Sequence, residues 1–549
     1  MLVCGAVGNV SWKRFQPSVT LYYTPSFKIA SLFLSGVNNF NIMSKKLRDK
    51  IVQIACTRTL FCEGRNHPLY FTGKPCRIIV SAHLHGQIRE EFMSKLRQKQ
   101  GDITQGVIWK QLLSLFFPLW FGTFFQQLYN TVDSVVVGRF VGKTALAAVG
   151  STGVVVNLTV GIFTGLASGA VVLIAQHYGA RRGEEVQKDV HTAMLLALLM
   201  GAFFTAAGVL LTPWALGAMG TTQEALPGAI LYLRVYFWGM IPNVIYNVGT
   251  GILRAVGDSR RPLYFLIAAS LCNIVLDLAL VVGLNLGVLG VALATVASEV
   301  LSAVLVVISL MGSQGELYQF FPRRMALDRV SLRKTMQVGI PAALQSVTYS
   351  ASNIVIQAAV NSFGTDTVAA WTAYGKMDVI FWMSINAMSL SLTTFAGQNY
   401  GAGNYDRLRR GVRVSAAMSA GFTLALSALL TVFARPILSI FTPDPKVLEI
   451  GVEMVRFLAP CYITYILIEL LSGAIRGAGK SLATMVISVF GVCVLRLIWL
   501  WTVVPAFHSM VMVEASYPIT WVVTSIAMLA YYRWGGWLEP DGRRSDSGG

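Results

Sequence analysis

Long apolar segments, bounded by glycine, proline or basic residues, follow one another through most of the chain. Each runs for roughly 20–30 residues, enough for an α-helix to cross the hydrocarbon core of a bilayer. The pattern predicts an all-α polytopic membrane protein with about twelve transmembrane helices. The predicted spans are 107–138, 144–177, 188–212, 227–254, 261–284, 287–311, 334–363, 367–398, 411–437, 447–475, 481–505 and 511–533.

Lysine and arginine are distributed unevenly over the loops between these spans. Alternate loops carry 22 of them on one side and 4 on the other. Because cytoplasmic loops carry an excess of Lys and Arg, the asymmetry predicts that both termini are cytoplasmic. We therefore expect a multi-pass protein of the plasma (inner) membrane.

The composition supports this class and argues against others. The chain is 54% hydrophobic and 13% charged, whereas soluble proteins carry about 25% charged residues. The formal net charge of +18 comes from basic residues in short loops, so the expected partner is the lipid bilayer and not nucleic acid. No GxxxxGK[ST] phosphate loop, metal-ligand spacing or nucleophile–base motif occurs. We expect no enzyme activity, no metal and no cofactor.

Residues 1–92 differ from the rest of the chain. They contain four of the seven cysteines and have no sustained apolar span. We predict a non-native upstream extension, with a natural start at Met93; the alternative is a disordered cytoplasmic tail.

Two pairs of motifs repeat at a constant separation. AQHYGARRGE resembles GQNYGAGNYD, and LRAVGD resembles IRGAGK, and in each pair the second copy follows the first by 222 positions. Internal repeats of this size are typical of transporters. Six spans per half would give both halves the same orientation. The predicted parts are an N-lobe at 93–312, a cytoplasmic linker at 313–333, a C-lobe at 334–533 and a cytoplasmic tail at 534–549.

Acidic residues occur inside the predicted spans, where a charge costs at least about 2.5–3.5 kcal/mol and is by default a functional candidate. Asp133 lies late in the first span, and Asp277 lies in the fifth with Asn273 one helical turn earlier. Residues spaced by three or four share a helix face. The first span therefore carries a polar stripe of Gln126, Tyr129, Asn130 and Asp133.

These motifs together resemble the multidrug and toxic compound extrusion (MATE) family of secondary transporters, over residues 107–533. The carrying features are FPLWFGTFFQQLYNTVDSVVVGRFVG in the first span, the QHYGA and QNYGA turns, and LRAVGD and IRGAGK. The resemblance implies two parallel six-helix lobes around a central cavity and alternating access. It also implies export of small organic cations in exchange for Na⁺ or H⁺ as coupling ion, and we expect a monomer.

The family's N-lobe cation site has an Asp in the first helix, an Asn-x₃-Asp pair in the fifth and a Thr in the sixth. Asp133, Asn273, Asp277 and Thr295 match those positions. Two carboxylates in a dry lobe cannot both stay ionised at low cost, so uptake of a proton or a sodium ion would neutralise the pair. Pro118 removes a backbone hydrogen bond, and the family is similar in having a proline at this place. We expect the first helix to bend there on cation binding.

Cargo contacts are predicted at polar and aromatic positions, since aromatic faces attract organic cations. Glu469 lies 222 positions after Asn247. It would either bind cationic cargo or pair with Arg496, and we favour the pairing. The candidates are Gln126, Tyr129, Asn157, Asn247 and Thr250 in the first lobe, and Trp371, Tyr374, Asp378 and Glu469 in the second.

The main alternative is a lipid-linked oligosaccharide or peptidoglycan-precursor flippase of the same superfamily. Such a protein needs a cationic cavity to receive phosphate, whereas the charges inside these spans are mostly acidic. A channel lacks support, because no carbonyl-filter signature is present.

Overall fold

The computed structural model describes residues 103–538. The expected extension at 1–92, the start at Met93 and the last residues of the tail lie outside the described residues. Within the described chain, twelve helical segments follow the predicted spans, and their ends differ from the predicted ones by a few residues. They are α1 Ile108–Val136, α2 Lys143–Gly179, α3 Gly183–Ala218, α4 Leu226–Trp238 with Met240–Ala255, α5 Arg260–Gly283, α6 Gly287–Gly312, α7 Arg329–Asn361, α8 Thr365–Gly401, α9 Tyr405–Val432, α10 Pro445–Gly477, α11 Ser481–Phe507 and α12 Met510–Trp534.

Hydropathy separates two of these helices from the other ten. In the described region, nine helices are apolar and long enough to cross a membrane, or ten when the bent α4 counts as one span. The remaining two, α1 and α7, carry the polar runs QQLYNTVDS and QSVTYSASN. Polar residues in a membrane helix are expected to face the bundle interior, so α1 and α7 are expected to line internal cavities.

Several spans are interrupted, which the apolar pattern does not predict. α4 bends by 50° between Trp238 and Met240, and α10 contains a 3₁₀ turn at Tyr462–Thr464. π-helical turns follow Asp277 in α5 and Ser488 in α11. α1, in contrast, runs as one α-helix through Pro118.

Small residues bring α2 of the first lobe against α7 of the second. A Cβ atom added at Gly165 would lie 2.5 Å from the Cα atom of Ala343, and one added at Gly339 would lie 2.7 Å from the carbonyl oxygen of Leu166. Glycine allows this approach of two backbones, as is common between membrane helices.

The repeated motifs cross between the lobes at the ends of α2 and α8. Gln176, in the first motif copy, donates from Nε2 to the carbonyl oxygen of Gly477 at 2.8 Å. Gln398, in the second copy, donates from Nε2 to the carbonyl oxygen of Ala255 at 2.7 Å. Each glutamine therefore binds the motif that ends α4 or α10 of the other lobe. This reciprocal contact, here called the motif clasp, lies on the side that carries most of the basic loops.

The linker between the lobes is packed and ordered. The Oγ atom of Ser331 donates to Asp189 Oδ1 at 2.7 Å, and the backbone N–H of Asp328 donates to Thr192 Oγ1 at 3.1 Å. Asp328 also caps α7, which begins at Arg329 and therefore five residues before the predicted span.

We predict that Gly179→Ala lowers the melting temperature of the purified protein. A Cβ atom at Gly179 would lie 2.7 Å from the Cα atom of Gln398, inside the motif clasp, and such overpacking costs about 1–3 kcal/mol. Thermal unfolding in detergent provides the measurement. Gly153→Ala, on the same helix with no atom within 4 Å of the added Cβ, is the control; equal melting temperatures for the two variants would contradict the prediction.

Candidate functional site

A cavity of about 350 Å³ lies mostly in the first lobe, between the polar face of α1, helices α2, α4, α5 and α6, and part of α8. Its wall brings together residues that are far apart in the sequence. All the first-lobe residues predicted to contact cargo lie on this wall, together with most of the predicted cation-site residues. The predicted residues on it are Pro118, Gln126, Tyr129, Asp133, Asn157, Asn247, Thr250, Asn273 and Thr295.

Asp133 and Asp277 form an acid pair. Asp277, at the end of the α-helical part of α5, is fully buried, and Asp133 is 9% exposed. The two carboxyl groups lie close enough for each to affect the protonation of the other. In the described part of the chain, Asp133 Oδ1 and both carboxylate oxygens of Asp277 have no hydrogen-bond donor.

The side chain of Asn273 lies beside this pair, one turn before Asp277. Among residues 103–538 neither its amide nitrogen nor its amide oxygen has a partner. A buried polar group without a partner costs about 1–3 kcal/mol, so several such groups together point to a bound species. Carboxylate, amide and hydroxyl oxygens are the ligands that hard cations prefer, and a proton shared by the pair would also neutralise it.

A second polar group lies across the same cavity. Asn243 Nδ2 donates to Glu299 Oε1 at 2.5 Å, and Asn247 Nδ2 donates to Asn243 Oδ1 at 2.9 Å. Sequence reasoning missed Asn243, although its spacing of four from Asn247 places both on one helix face. The other carboxylate oxygen of Glu299 has no partner among the described residues, so this group still has a free acceptor.

The absence of a side chain at Gly239 leaves room for Glu299. Gly239 lies at the break, and a Cβ atom there would overlap Glu299 Oε2. A larger residue at this position would therefore shift the Glu299 carboxylate.

A larger cavity, about 650 Å³, is lined mostly by the second lobe. Of the second-lobe candidates, Asp378 and Glu469 lie on its wall. Tyr374 and Trp371 do not: Tyr374 is buried behind the wall with its hydroxyl 3.0 Å from that of Tyr462, and Trp371 packs on Tyr374. Both support the site from behind.

Asp378 is held by two donors. The Tyr462 hydroxyl donates to Oδ1 at 2.5 Å, and the indole N–H of Trp382 donates to Oδ2. Tyr462 belongs to the 3₁₀ turn that interrupts α10, so the break aims its hydroxyl at Asp378. The apolar pattern gives no signal for this contact.

The expected pairing of Glu469 with Arg496 is not present. Glu469 Oε1 lies 3.8 Å from Arg476 Nη2, and Tyr465 donates to Glu469 Oε2 at 3.1 Å. Arg476 lies on the same helix two turns later, so it reaches Glu469 along the helix face. Arg496 therefore lacks the acidic partner that the sequence suggested.

Comparison with known proteins decides the family. The MatE family model matches residues 118–279 and 341–502, which together are more than half of the chain, and each matched segment starts at a proline. The chain belongs to the MATE family. Members of this family are transporters, and the twelve helices of this MATE protein form two parallel six-helix lobes.

Curated and solved MATE proteins resemble the chain over most of its length. A probable multidrug resistance protein of Bacillus subtilis (strain 168), YoeA, is 28% identical over 440 residues, which are 78% of this chain and 94% of that protein. The crystal structure of a MATE protein in the bent conformation has a TM-score of 0.74 and 25% identity, covering 79% of this chain and 97% of the other. A MOP superfamily transporter from Pyrococcus furiosus shares the fold, with a TM-score of 0.75, 24% identity and coverage of 80% and 99%.

We predict that Tyr462→Phe lowers the free energy of unfolding by about 1.5–3 kcal/mol, since it removes a hydrogen bond to a charged acceptor. The test is a double-mutant cycle with Asp378→Asn, measured by thermal or denaturant unfolding in detergent. In the Asp378→Asn background the loss caused by Tyr462→Phe should shrink. Tyr264→Phe, at a 63% exposed tyrosine, is the control, and a strictly additive cycle would refute the contact.

Proposed function

We propose that this protein is a secondary antiporter that exports small organic cations in exchange for Na⁺ or H⁺ by alternating access. The observation that carries the proposal is the buried acid pair of Asp133 and Asp277, which has no donor from the described protein. An internal salt bridge would make such a pair structural; without one, it requires a mobile cation or a proton.

Asp133, Asn273, Asp277 and Thr295 form the proposed coupling site. Thr295 is buried in α6, and its hydroxyl donates to the carbonyl oxygen of Val291, so its lone pairs stay available. The arrangement offers oxygen ligands from three different helices. Binding of a cation therefore draws these helices together, and its release allows them to separate.

Gln126, Tyr129, Asn157, Asn247 and Thr250 supply the proposed first cargo surface, next to the coupling site. The coupling site and the cargo surface share one small cavity, so the two cations can compete. When the coupling ion binds at the acid pair, it reduces the negative charge that attracts an organic cation. The multidrug name of the Bacillus relative agrees with a loosely selective surface of this kind.

We propose that α1 is the helix that changes shape during transport. Its first half packs in the core of the second lobe through Leu112 and Leu115, and its second half carries Asp133 into the first lobe. Pro118 lies between the two, where a bend costs little because the backbone hydrogen bond is already missing. We propose that cation binding bends α1 at Pro118 and expels the cargo.

The flippase alternative has less support. The first cavity combines Asp133 and Glu299 with Arg254, and the second combines Asp378 and Glu469 with Arg476 and Arg496. Neither wall has an excess of basic residues large enough to receive a pyrophosphate. We further propose a monomer in the plasma membrane with both termini in the cytoplasm.

Asp133→Asn and Asp277→Asn are each expected to reduce gradient-driven export at least about tenfold, because either change removes one charge of the pair. Proteoliposomes loaded with ethidium are given a sodium gradient or a pH gradient separately, and the dye flux is recorded. Asp366→Asn, at an exposed helix terminus, should leave the flux unchanged. Wild-type flux in both acid-pair variants would overturn the coupling site.

Sodium is expected to raise the melting temperature of the wild type if Na⁺ is the coupling ion. Ligand binding stabilises a native state by about 2.7 kcal/mol at a concentration of one hundred times Kd. The measurement is thermal unfolding in sodium and in choline chloride at equal ionic strength, with Asp277→Asn as the variant that loses the shift. A sodium shift of equal size in that variant would place the ion elsewhere, and no shift in the wild type would favour the proton.

A further inference from the structure

Arg496 is a buried cation in the middle of a membrane helix. It lies in α11, is 4% exposed and contributes to the wall of the larger cavity. A charged residue at this depth is costly and is normally compensated by an acidic partner. Within the described region, Arg496 lies in no ion pair.

The contacts of Arg496 leave much of its donor capacity unused. The guanidinium has five N–H donors. Nη2 donates to Thr520 Oγ1 at 2.9 Å, and the guanidinium carbon lies 4.0 Å from the ring centre of Tyr517. Nε has no partner in the described structure. Stacking on one tyrosine and bonding to one hydroxyl fix the plane of the guanidinium, so its free donors have a defined direction.

The acidic residues of the same cavity are already occupied. Asp378 accepts from Tyr462 and Trp382, and Glu469 pairs with Arg476 and accepts from Tyr465. Their charges are therefore met by protein donors, whereas the charge of Arg496 is not. This cavity therefore lacks a negatively charged hydrogen-bond acceptor for Arg496.

The rest of the wall suits an aromatic molecule. Trp382, Tyr517 and Trp521 contribute to it, and the volume of about 650 Å³ falls in the usual range of ligand pockets, about 300–1,000 Å³. A planar guanidinium binds a carboxylate or phosphate through two parallel hydrogen bonds.

We propose that Arg496 is the oxyanion-binding residue of a second cargo site in the C-lobe cavity, which selects aromatic molecules that carry a carboxylate or phosphate beside their positive charge. The inference rests on the proposed export function and narrows its cargo class. Purely cationic aromatics would use the N-lobe surface, and amphoteric ones would also engage Arg496.

The test uses a diaminoxanthylium dye with a free benzoate and its methyl ester, which keeps the same rings and cation and lacks the anion. Binding to purified protein in nanodiscs of zwitterionic lipid is followed by fluorescence anisotropy, without an ion gradient. The wild type should bind the acid at least about tenfold more tightly than the ester, as expected for a charged hydrogen bond.

Arg496→Gln should reduce this preference to about twofold or less and leave the affinity for the ester unchanged. Arg496→Lys keeps the charge and loses the planar fork, so its preference for the acid should lie between those of the wild type and Arg496→Gln. Arg456→Gln changes an exposed arginine of α10 and should keep the wild-type preference. Equal affinity of the wild type for both dyes, or an equal loss of both in Arg496→Gln, would overturn the proposal.

A lipid head group could present the same chemistry to the guanidinium. Nanodiscs that contain phosphatidylglycerol separate the two sources: the acid preference should persist there, and its loss would assign Arg496 to lipid and overturn the cargo site. Because binding is measured without a gradient, a failure of cation coupling at Asp133 and Asp277 would leave these affinities unchanged, so the two proposals can fail independently.

Discussion

A pair of carboxyl groups in a dry helical lobe, with no donor from the described protein, is the constraint on which the other features depend. Such a pair is unstable as two charges in a low dielectric and is satisfied by a cation or a proton. If the pair is the coupling site that we propose, the shape of the first lobe depends on what is bound there. The bend of α4 at Gly239 and the polar stripe of α1 both serve to place oxygen atoms around this cavity.

The two lobes share one repeated helix arrangement but differ in the charged residues that line their cavities. Arg254 and Arg476 occupy repeated motifs and each lies on the wall of its own lobe's cavity. Asn247 of the first lobe corresponds to Glu469 of the second, and there the arginine gains an acidic partner at 3.8 Å. The first lobe keeps its acid pair without donors, and the second neutralises its acids and keeps a cation without an acidic partner. This division favours ion coupling in one lobe and recognition of anionic groups in the other.

Much of the fold could be predicted because membrane crossing requires length and apolarity, and both are visible in sequence. The ends of α5 at Arg260 and α6 at Gly287 lie within one residue of the predicted ends. The breaks in α4 and α10 each have a proline nearby: Pro242 cannot donate to the carbonyl oxygen of Trp238, and Pro460 lies just before the 3₁₀ turn of α10. The prolines do not predict which side chains then meet, such as the approach of Glu299 to Gly239. The Tyr462–Asp378 bond depends on the break in α10, and the Glu469–Arg476 pair depends on a choice among several donors. Sequence spacing finds residues that share a face, but not which of several partners across a bundle they choose.

Transmission from the acid pair to the rest of the molecule has a physical route through α1 and the motif clasp. α1 belongs to both lobes: Trp120, just after Pro118, donates to Ser384 of α8 at 2.9 Å, and Asp133 faces α5. A change in the second half of α1 must therefore be absorbed at Pro118 or passed to α8. The helix α8 ends in the clasp, where Gln398 holds Ala255 of the first lobe. Gln176 makes the reciprocal bond to Gly477, so the clasp joins the two lobes through two equivalent bonds. The alternating access that we propose would require both halves of the clasp to open.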